Sequence, residues 1–316
     1  MASNDGERSR LDDAARAGWL YFIAGHTQDE IAKMLQVSRA SAQRLVSLCL
    51  AERLITFRLE HPIAACMELA SRLKERFGLA HSEVVPSDPT ALLATAGIAE
   101  RCANVLETTL RADTPVIVAL GTGRAVRAAV ERVTPIERPN HQIVSLVGNI
   151  SADGSASFFD TVGRLADRTG ARHYPMPLPF LMSSEDERNR MVRIEPIAKV
   201  KAIAVKADLR LIGIGQMDQK AQVYVDGFVT REELFELMRL GAVGEITGWA
   251  YDVKGRLIKG GTNQRLTSIP PQVPAAAATI AAAVGRAKVP AIKAALAGRL
   301  INGLITDEAT ARAILD

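Results

Sequence analysis

The rhythm of apolar and polar positions changes about sixty residues into the chain. From Asp12 to about Gly25, apolar residues recur at helical spacing (Ala15, Trp19, Phe22, Ile23), which predicts an amphipathic helix ending at Gly25. Thr27 opens a T-x-x-E capping box with Glu30, and Asp29 adds negative charge to the first turn, where the helix dipole favours it. The next helix, Gln28 to Leu35, turns Ile31, Ala32 and Leu35 inward. After the break Gln36-Val37, Ser38 is a good N-cap for a third helix reaching about Glu52. That helix turns Ala42, Leu45, Val46 and Cys49 inward and Arg39, Ser41, Gln43 and Arg44 outward.

Two short helices joined by a tight turn form a helix-turn-helix pattern. Ala32 is small enough to let the helices cross closely, and Val37 is expected to plug the turn into the core. The start of the second helix of such a pair enters the major groove of DNA, so it must carry long donors. Arg39 and Arg44 can reach phosphates or a guanine edge, and Gln43 can pair with adenine, with Ser38 and Ser41 beside them. Thr27 and Gln28, at a helix N-terminus, suit contacts to backbone phosphates. The same pattern also fits an amphipathic helical hairpin whose arginines face solvent, and Gln36 stands where the motif usually has Gly. Alternation over Leu54–Leu59 (Ile55, Phe57 and Leu59 against Thr56 and Arg58) predicts a short strand closing a winged-type domain. Pro62 to Phe77 then reads as a connecting helix ending at Gly78, suited to dimerisation or to packing on the larger domain.

From about His81 onward strands and helices alternate. Pro115–Leu120 is a continuous apolar run, as in a parallel strand buried on both faces. It leads into Gly121-Thr122-Gly123-Arg124 and a helix from Ala125 to Val133. Similar runs are Gln142–Val147 before Gly148-Asn149, and Leu209–Ile214 before Gly215-Gln216. A last run, Thr279–Val284, precedes Gly285 and a helix from about Pro290; its alanines favour helix, so the strand is expected from the repeating arrangement. The expected fold class is therefore α/β: residues 1–60 an all-α helix-turn-helix domain, and residues 61–316 a larger Rossmann-like, mostly parallel α/β domain. Ligands in such sheets bind beyond the carboxyl ends of the strands, and here each of those ends carries glycine.

Composition narrows the classes. The chain of 316 residues is 48% hydrophobic and 23% charged, ample for a packed core, which excludes disorder as the main state. Cys49, Cys66 and Cys102 are too few and scattered for a disulfide framework, and no C-x-x-C or paired histidines suggest a metal. Met1–Arg10 is polar and charged, unlike a secretion signal, and no stretch approaches a bilayer span, so a cytoplasmic chain without membrane contact is expected.

The glycine-tipped strands carry the candidate chemistry. Gly121 and Gly123 let the backbone approach a ligand, Thr122 adds a hydroxyl and Arg124 a charge, a phosphate cradle in principle. Neither G-x-G-x-x-G spacing nor a Walker lysine is present, which disfavours a dinucleotide or ATP, and no cofactor is expected. Glu245, in the Gly-rich run Gly241–Ile246, could hold sugar hydroxyls or cap a helix or turn. Lys288 opposes the dipole of the helix it starts, which is easier to explain if it meets an anion than if it is a solvated surface lysine. Asn263 and Arg265, after Gly260-Gly261, are candidates of the same kind. An enzyme using Glu245 as base would want a titratable partner nearby in sequence, and none is there.

Several of these segments together resemble the SorC family of sugar-binding transcriptional regulators. The resemblance runs through Thr27-Gln28-Asp29-Glu30-Ile31-Ala32, Ser38-Arg39, Gly121–Arg124, Gly213-Ile214-Gly215, Gly241–Ile246 and the ending Leu304–Ala311. It implies operator binding by an oligomer, a dimer or tetramer on double-stranded DNA, and an effector domain similar to sugar-phosphate isomerases and glucosamine-phosphate deaminases. It further implies a sugar, polyol or sugar-phosphate effector, with phosphate at Gly121, Thr122, Gly123 and Arg124 or at Lys288, and hydroxyls near Glu245. Gly148, Asn149, Gly215 and Gln216 complete the effector-binding set expected at the strand ends. Ala42-Gln43 departs from the Val-Ser usual in the recognition helix, and Val284-Gly285 and Gly148-Asn149 replace paired glycines.

Charge placement adds one refinement. Net charge is +4, yet residues 1–60 hold eight Lys+Arg and eight Asp+Glu, a balance of zero. Over Arg39–Arg58 four arginines face only Glu52, so basic character is local to the third helix and the expected strand after it.

Overall fold

A computed structural model describes residues 2–52, 54–55, 63–87, 96–150 and 160–316; the side chains of residues 2–9, Ala96 and Asn149 are outside that description. Backbone contacts divide the chain into two compact units, Met1–His61 and Pro62–Asp316.

The first unit holds helices α1 (Ala2–Phe22), α2 (Gln28–Met34) and α3 (Arg39–Ala51). The capping box forms: the Glu30 carboxylate accepts from the Thr27 N–H at 2.8 Å, and Glu30 N–H donates to Thr27 Oγ1 at 3.4 Å. Ser38 caps α3 by accepting from the Ser41 N–H at 3.1 Å. Gln36 takes φ +54°, the left-handed turn conformation for which Gly is the usual residue. Two expectations fail in this unit. The buried stripe of α1 is Ala14, Ala17 and Gly18, one position off the predicted one, and Trp19 and Ile23 are 57% and 63% exposed. The reason is the close crossing of α1 on α3, where a Cβ at Gly18 would lie 2.1 Å from Cys49 Sγ. Val37 is exposed rather than plugged into the core. Its N–H instead closes the end of α2 on the Ala32 carbonyl at 2.9 Å. Most of the expected strand Leu54–Leu59, with Arg53 and Arg58, lies outside the described residues.

The second unit opens with α4 (Ala64–Phe77), closed by Gly78 in the left-handed conformation, then β1 (His81–Val85) and α5 (Ala96–Leu110). Next come β2 (Ile117–Leu120), α6 (Arg124–Val130), β3 (Gln142–Ile150), α7 (Thr161–Thr169) and β4 (Arg172–Pro179). Helices α8 (Glu185–Met191) and α9 (Glu195–Val205) lead to β5 (Leu209–Gly213), β6 (Gly215–Gln216), α10 (Gln222–Val225) and α11 (Arg231–Arg239). The chain ends through β7 (Ala242–Ile246), β8 (Trp249–Asp252), β9 (Ala278–Ala282), α12 (Val289–Ala297), β10 (Gly303–Asp307) and α13 (Glu308–Leu315). Short 3-10 turns cover Gly261–Gln264 and Arg286–Lys288.

Seven strands form one parallel sheet in the order β1-β10-β9-β5-β2-β3-β4. The strand expected across the alanine run is β9, buried between β10 and β5, where small side chains let helices pack against the sheet. One buried cluster joins the sheet to α4, α9, α12 and α13, and a second joins it to α5, α6 and α7, so both faces are covered. After β2 the chain builds outward through β3 and β4, then returns to the other side of β2 as β5. The reversal leaves a crevice at the carboxyl ends of β2 and β5. Over it lies a small antiparallel sheet, β6-β7-β8. Gly148 falls inside β3 rather than beyond its end. Among the described residues no helix is long and apolar enough to cross a membrane.

Candidate functional site

The crevice encloses a cavity of about 420 Å³. Three glycine-bearing connections shape its floor: Thr122–Arg124 after β2, Gly213–Gln216 after β5, and Val284–Lys288 after β9. Each is sharp because its glycines accept what a side chain would not. Gly123 and Gly285 sit at φ +112° and +110°, and a Cβ at Gly215 would lie 2.1 Å from Glu245 Oε1.

Glu245 reaches this floor from β7, which ends in a two-residue turn with Thr247 and Gly248 both at positive φ. Its Oε2 accepts from the Gly248 N–H at 2.7 Å, so the carboxylate both caps the hairpin turn and lines the cavity. Burial pushes the Glu245 carboxyl above its ordinary value, opposed by the Gly248 N–H and the Lys288 charge. Burial pulls the Lys288 ammonium down; Glu245 holds it up, and Arg124 presses it lower. The two groups therefore stabilise each other's charged forms in a setting that penalises both.

Arg124 extends across the mouth to α10. Its Nη1 donates to Gln222 Oε1 at 2.7 Å, its Nη2 lies 3.8 Å from Asp226 Oδ1, and Gln222 Nε2 donates to the same Oδ1 at 2.6 Å. Two buried polar atoms in the wall have no hydrogen-bond partner among the described residues: Thr122 Oγ1 and Gln216 Oε1. Phe180 and Phe228, ring centroids 4.7 Å apart, close the apolar side with Ile98, Val126 and Ile214.

Of the effector residues expected from sequence, Thr122, Gly123, Arg124, Gly215, Gln216, Glu245 and Lys288 converge on this cavity. Gly121 lies just beneath it, its N–H bound to the Leu211 carbonyl at 2.9 Å. Gly148 does not line it: a Cβ there would meet the Leu178 and Pro179 carbonyls at 2.6 and 2.8 Å, a packing reason for glycine. Asn263 is buried away from it, bonded to the backbone of Ala250 and Ile258, and Arg265 pairs with Glu233. Sequence reasoning missed Gln222, Asp226, Phe180 and Phe228, which come from segments without a motif.

In the helical unit, the outer face of α3 presents Arg39, Gln43 and Arg44, all exposed. Arg39 Nε lies 3.4 Å from Asp29 Oδ1, an exposed pair, and Arg44 Nε donates to the Ala40 carbonyl at 3.3 Å. Ser38 and Ser41 share a hydrogen bond of 2.9 Å, Thr27 serves the capping box, and Gln28 is half-buried at the start of α2.

Residues 61–316 match the family model of the sugar-binding domain (Sugar-bind). The chain is 30% identical over 302 residues to the erythritol catabolism regulatory protein EryD of Brucella abortus, covering 96% of both chains. It is 26% identical to the deoxyribonucleoside regulator of Bacillus subtilis, covering 99% of each. The full-length sorbitol operon regulator SorC of Klebsiella pneumoniae has the same fold, with a TM-score of 0.72 at 24% identity over 96% of this chain and 98% of that one.

Proposed function

Because the chain belongs to the SorC family of sugar-binding transcriptional regulators, we propose that its first unit binds operator DNA and its second unit carries the effector cavity. It is a regulator of transcription, not an enzyme, as the relatives it matches over nearly their whole length are. The effector is a sugar, polyol or sugar phosphate, and the operon it controls serves carbohydrate or polyol catabolism.

The observation that carries the effector reading is the cavity wall itself. Thr122, Gln216, Glu245 and Lys288 bring a hydroxyl, an amide, a carboxylate and an ammonium to one crevice at the sheet's topological switch. A small polyhydroxyl ligand can answer each of them. For DNA, the supporting feature is the exposed row Arg39, Gln43 and Arg44 on a helix capped by Ser38. That row suits the major groove, with Thr27 and Gln28 near the backbone phosphates. One such helix per chain on a symmetric operator calls for at least a dimer in the cytoplasm.

Regulation then requires that effector and operator prefer different global states. The test is a gel-shift titration of the full chain against the region upstream of its own operon, with sugars, polyols and their phosphates added. Effector-dependent change in operator affinity supports the reading. Absence of specific DNA binding at moderate salt, with or without any of these ligands, overturns it.

A further inference from the structure

Among the described residues four charged side chains line the cavity, Arg124, Asp226, Glu245 and Lys288, and their formal charges sum to zero. Each cation already has an anion within its field: Glu245 for Lys288, and Asp226 for Arg124. The second pairing is held in a closed triangle, because Gln222 accepts from Arg124 and donates to Asp226. The Asp226 side chain is only 21% exposed, so water screens it incompletely.

A phosphate ester brings about −1.5 to −2 charges near neutral pH. Placed beside Arg124 it would share that guanidinium with Asp226 and leave the cavity net negative. The unpartnered polar atoms point the same way. Gln216 Oε1 is a buried acceptor with no donor among the described residues, and its amide nitrogen is turned to the Lys220 carbonyl at 3.5 Å. A carbonyl oxygen is satisfied by an O–H group, which a polyol offers at every carbon, whereas esterification replaces one of these donors with acceptor-only oxygens. Thr122 Oγ1 can donate or accept, and the Phe180–Phe228 wall suits the C–H face of a carbon chain.

We infer that the effector is an uncharged polyol or sugar, and that Asp226 is the specificity-determining residue that excludes its phosphate ester. This rests on the cavity being the effector site. Asp226 acts by occupying the charge capacity of Arg124 and by repelling a second anion. Removing its charge while keeping its shape should open the site to esters.

The test uses the full chain and three matched pairs: erythritol, xylitol and sorbitol, each with its terminal monophosphate. Binding is measured by calorimetric titration in the native chain and in Asp226→Asn. At least one uncharged member is expected to bind the native chain, with its ester at least tenfold weaker. In Asp226→Asn the ester-to-polyol ratio of dissociation constants should fall about tenfold. Gln222→Glu adds a second anion to the triangle and should weaken the ester further, and it carries the test if Asp226→Asn fails to fold. An ester that binds the native chain more tightly than its polyol overturns the inference, as does a ratio unmoved by either variant. Esters that alone bind and alter operator affinity would leave the proposed function standing and remove only this inference. If neither class binds or changes operator affinity, the cavity is not the effector site and both readings fall.

Discussion

The carboxamide of Asn263 stands in for a neighbouring strand beside Ala250. Its Oδ1 accepts from the Ala250 N–H at 2.9 Å and its Nδ2 donates to the Ala250 carbonyl at 2.8 Å. The same nitrogen donates to the Ile258 carbonyl at 2.9 Å. Ala250 lies on β8, the edge of the small sheet that covers the cavity, so this side chain seals an edge from within. Asn263→Ala takes the partner from the Ala250 N–H and the Ile258 carbonyl, while the Ala250 carbonyl keeps the Ile258 N–H at 2.9 Å, and each orphaned group costs roughly 1–3 kcal/mol. The expected loss is about 3 kcal/mol, read as a lower urea midpoint for the full chain. Asn263→Asp should not restore it, since a carboxylate cannot donate to the two carbonyls.

Thr122 offers a test that separates binding from folding. Its hydroxyl is buried with no partner among the described residues, so Thr122→Val removes an unmet polar group and should leave stability unchanged or slightly raised. Effector affinity should fall about tenfold, while operator binding without effector stays within twofold. Calorimetry and gel shift on one preparation give both readings. Unchanged effector affinity would take Thr122 out of the site.

Glu245 makes the second unit sensitive to pH in a defined direction. Its folded-state carboxyl titrates above the ordinary glutamate value of 4.5, because burial penalises the charge. The folded chain therefore holds this proton more tightly than the unfolded chain. Its contribution to stability is fully present below pH 4.5 and is lost as pH rises from there through the raised folded value. Glu245→Gln lacks that component. The difference in unfolding free energy between native chain and variant should shift in the variant's favour from pH 4 to pH 7, measured by denaturant titration. A pH-independent difference would show that the carboxyl does not titrate abnormally.

Gln36 holds a left-handed conformation at φ +54° in the turn between α2 and α3. A side chain there costs roughly 1–2 kcal/mol, part of which glycine gives back through its greater unfolded-state freedom. Gln36→Gly should stabilise α2 and α3 by about 0.5–1 kcal/mol, seen as slower amide hydrogen exchange in those helices. Faster exchange would mean that Gln36 makes a stabilising contact outweighing its backbone strain.

Arg44 spends its Nε on the Ala40 carbonyl, and its two terminal nitrogens are the donors we propose for DNA. Arg44→Ala should weaken operator binding and reduce the slope of log affinity against log salt by about 1 if it meets a phosphate. If it meets a guanine, discrimination should relax at one base pair instead. Effector affinity should not change. Fluorescence anisotropy over a salt series, with calorimetry for the effector, distinguishes these outcomes, and a tenfold loss of effector affinity would undo the division of labour between the two units.

Local chemistry made much of this legible in advance. Thr27, Glu30 and Ser38 announce helix starts because a cap acts within four residues, and they cap as expected. The apolar runs that stop before Gly121, Gly215 and Gly285 announce buried parallel strands, since the burial of both faces leaves no polar alternation. The buried stripe of α1 is not legible locally, because Ala14, Ala17 and Gly18 lie one residue away from the more apolar set Ala15, Trp19, Phe22 and Ile23. Only the approach of Cys49 to Gly18 decides which faces inward. The small sheet leaves no local signal because β6 is two residues long and pairs with β7 only after the chain has passed through α10 and α11.

The sequence by itself therefore determined the caps, the glycine-tipped parallel strands and the split into a helical unit and an α/β unit, because each depends on spacing along the chain. Tertiary structure alone decided which polar groups share a cavity. Glu245 faces Lys288, and Asp226 reaches Arg124, only because the chain reverses direction across β2 and folds a hairpin over the crevice. Charge balance in that cavity depends on distances in space, and nothing in the linear order of residues encodes it.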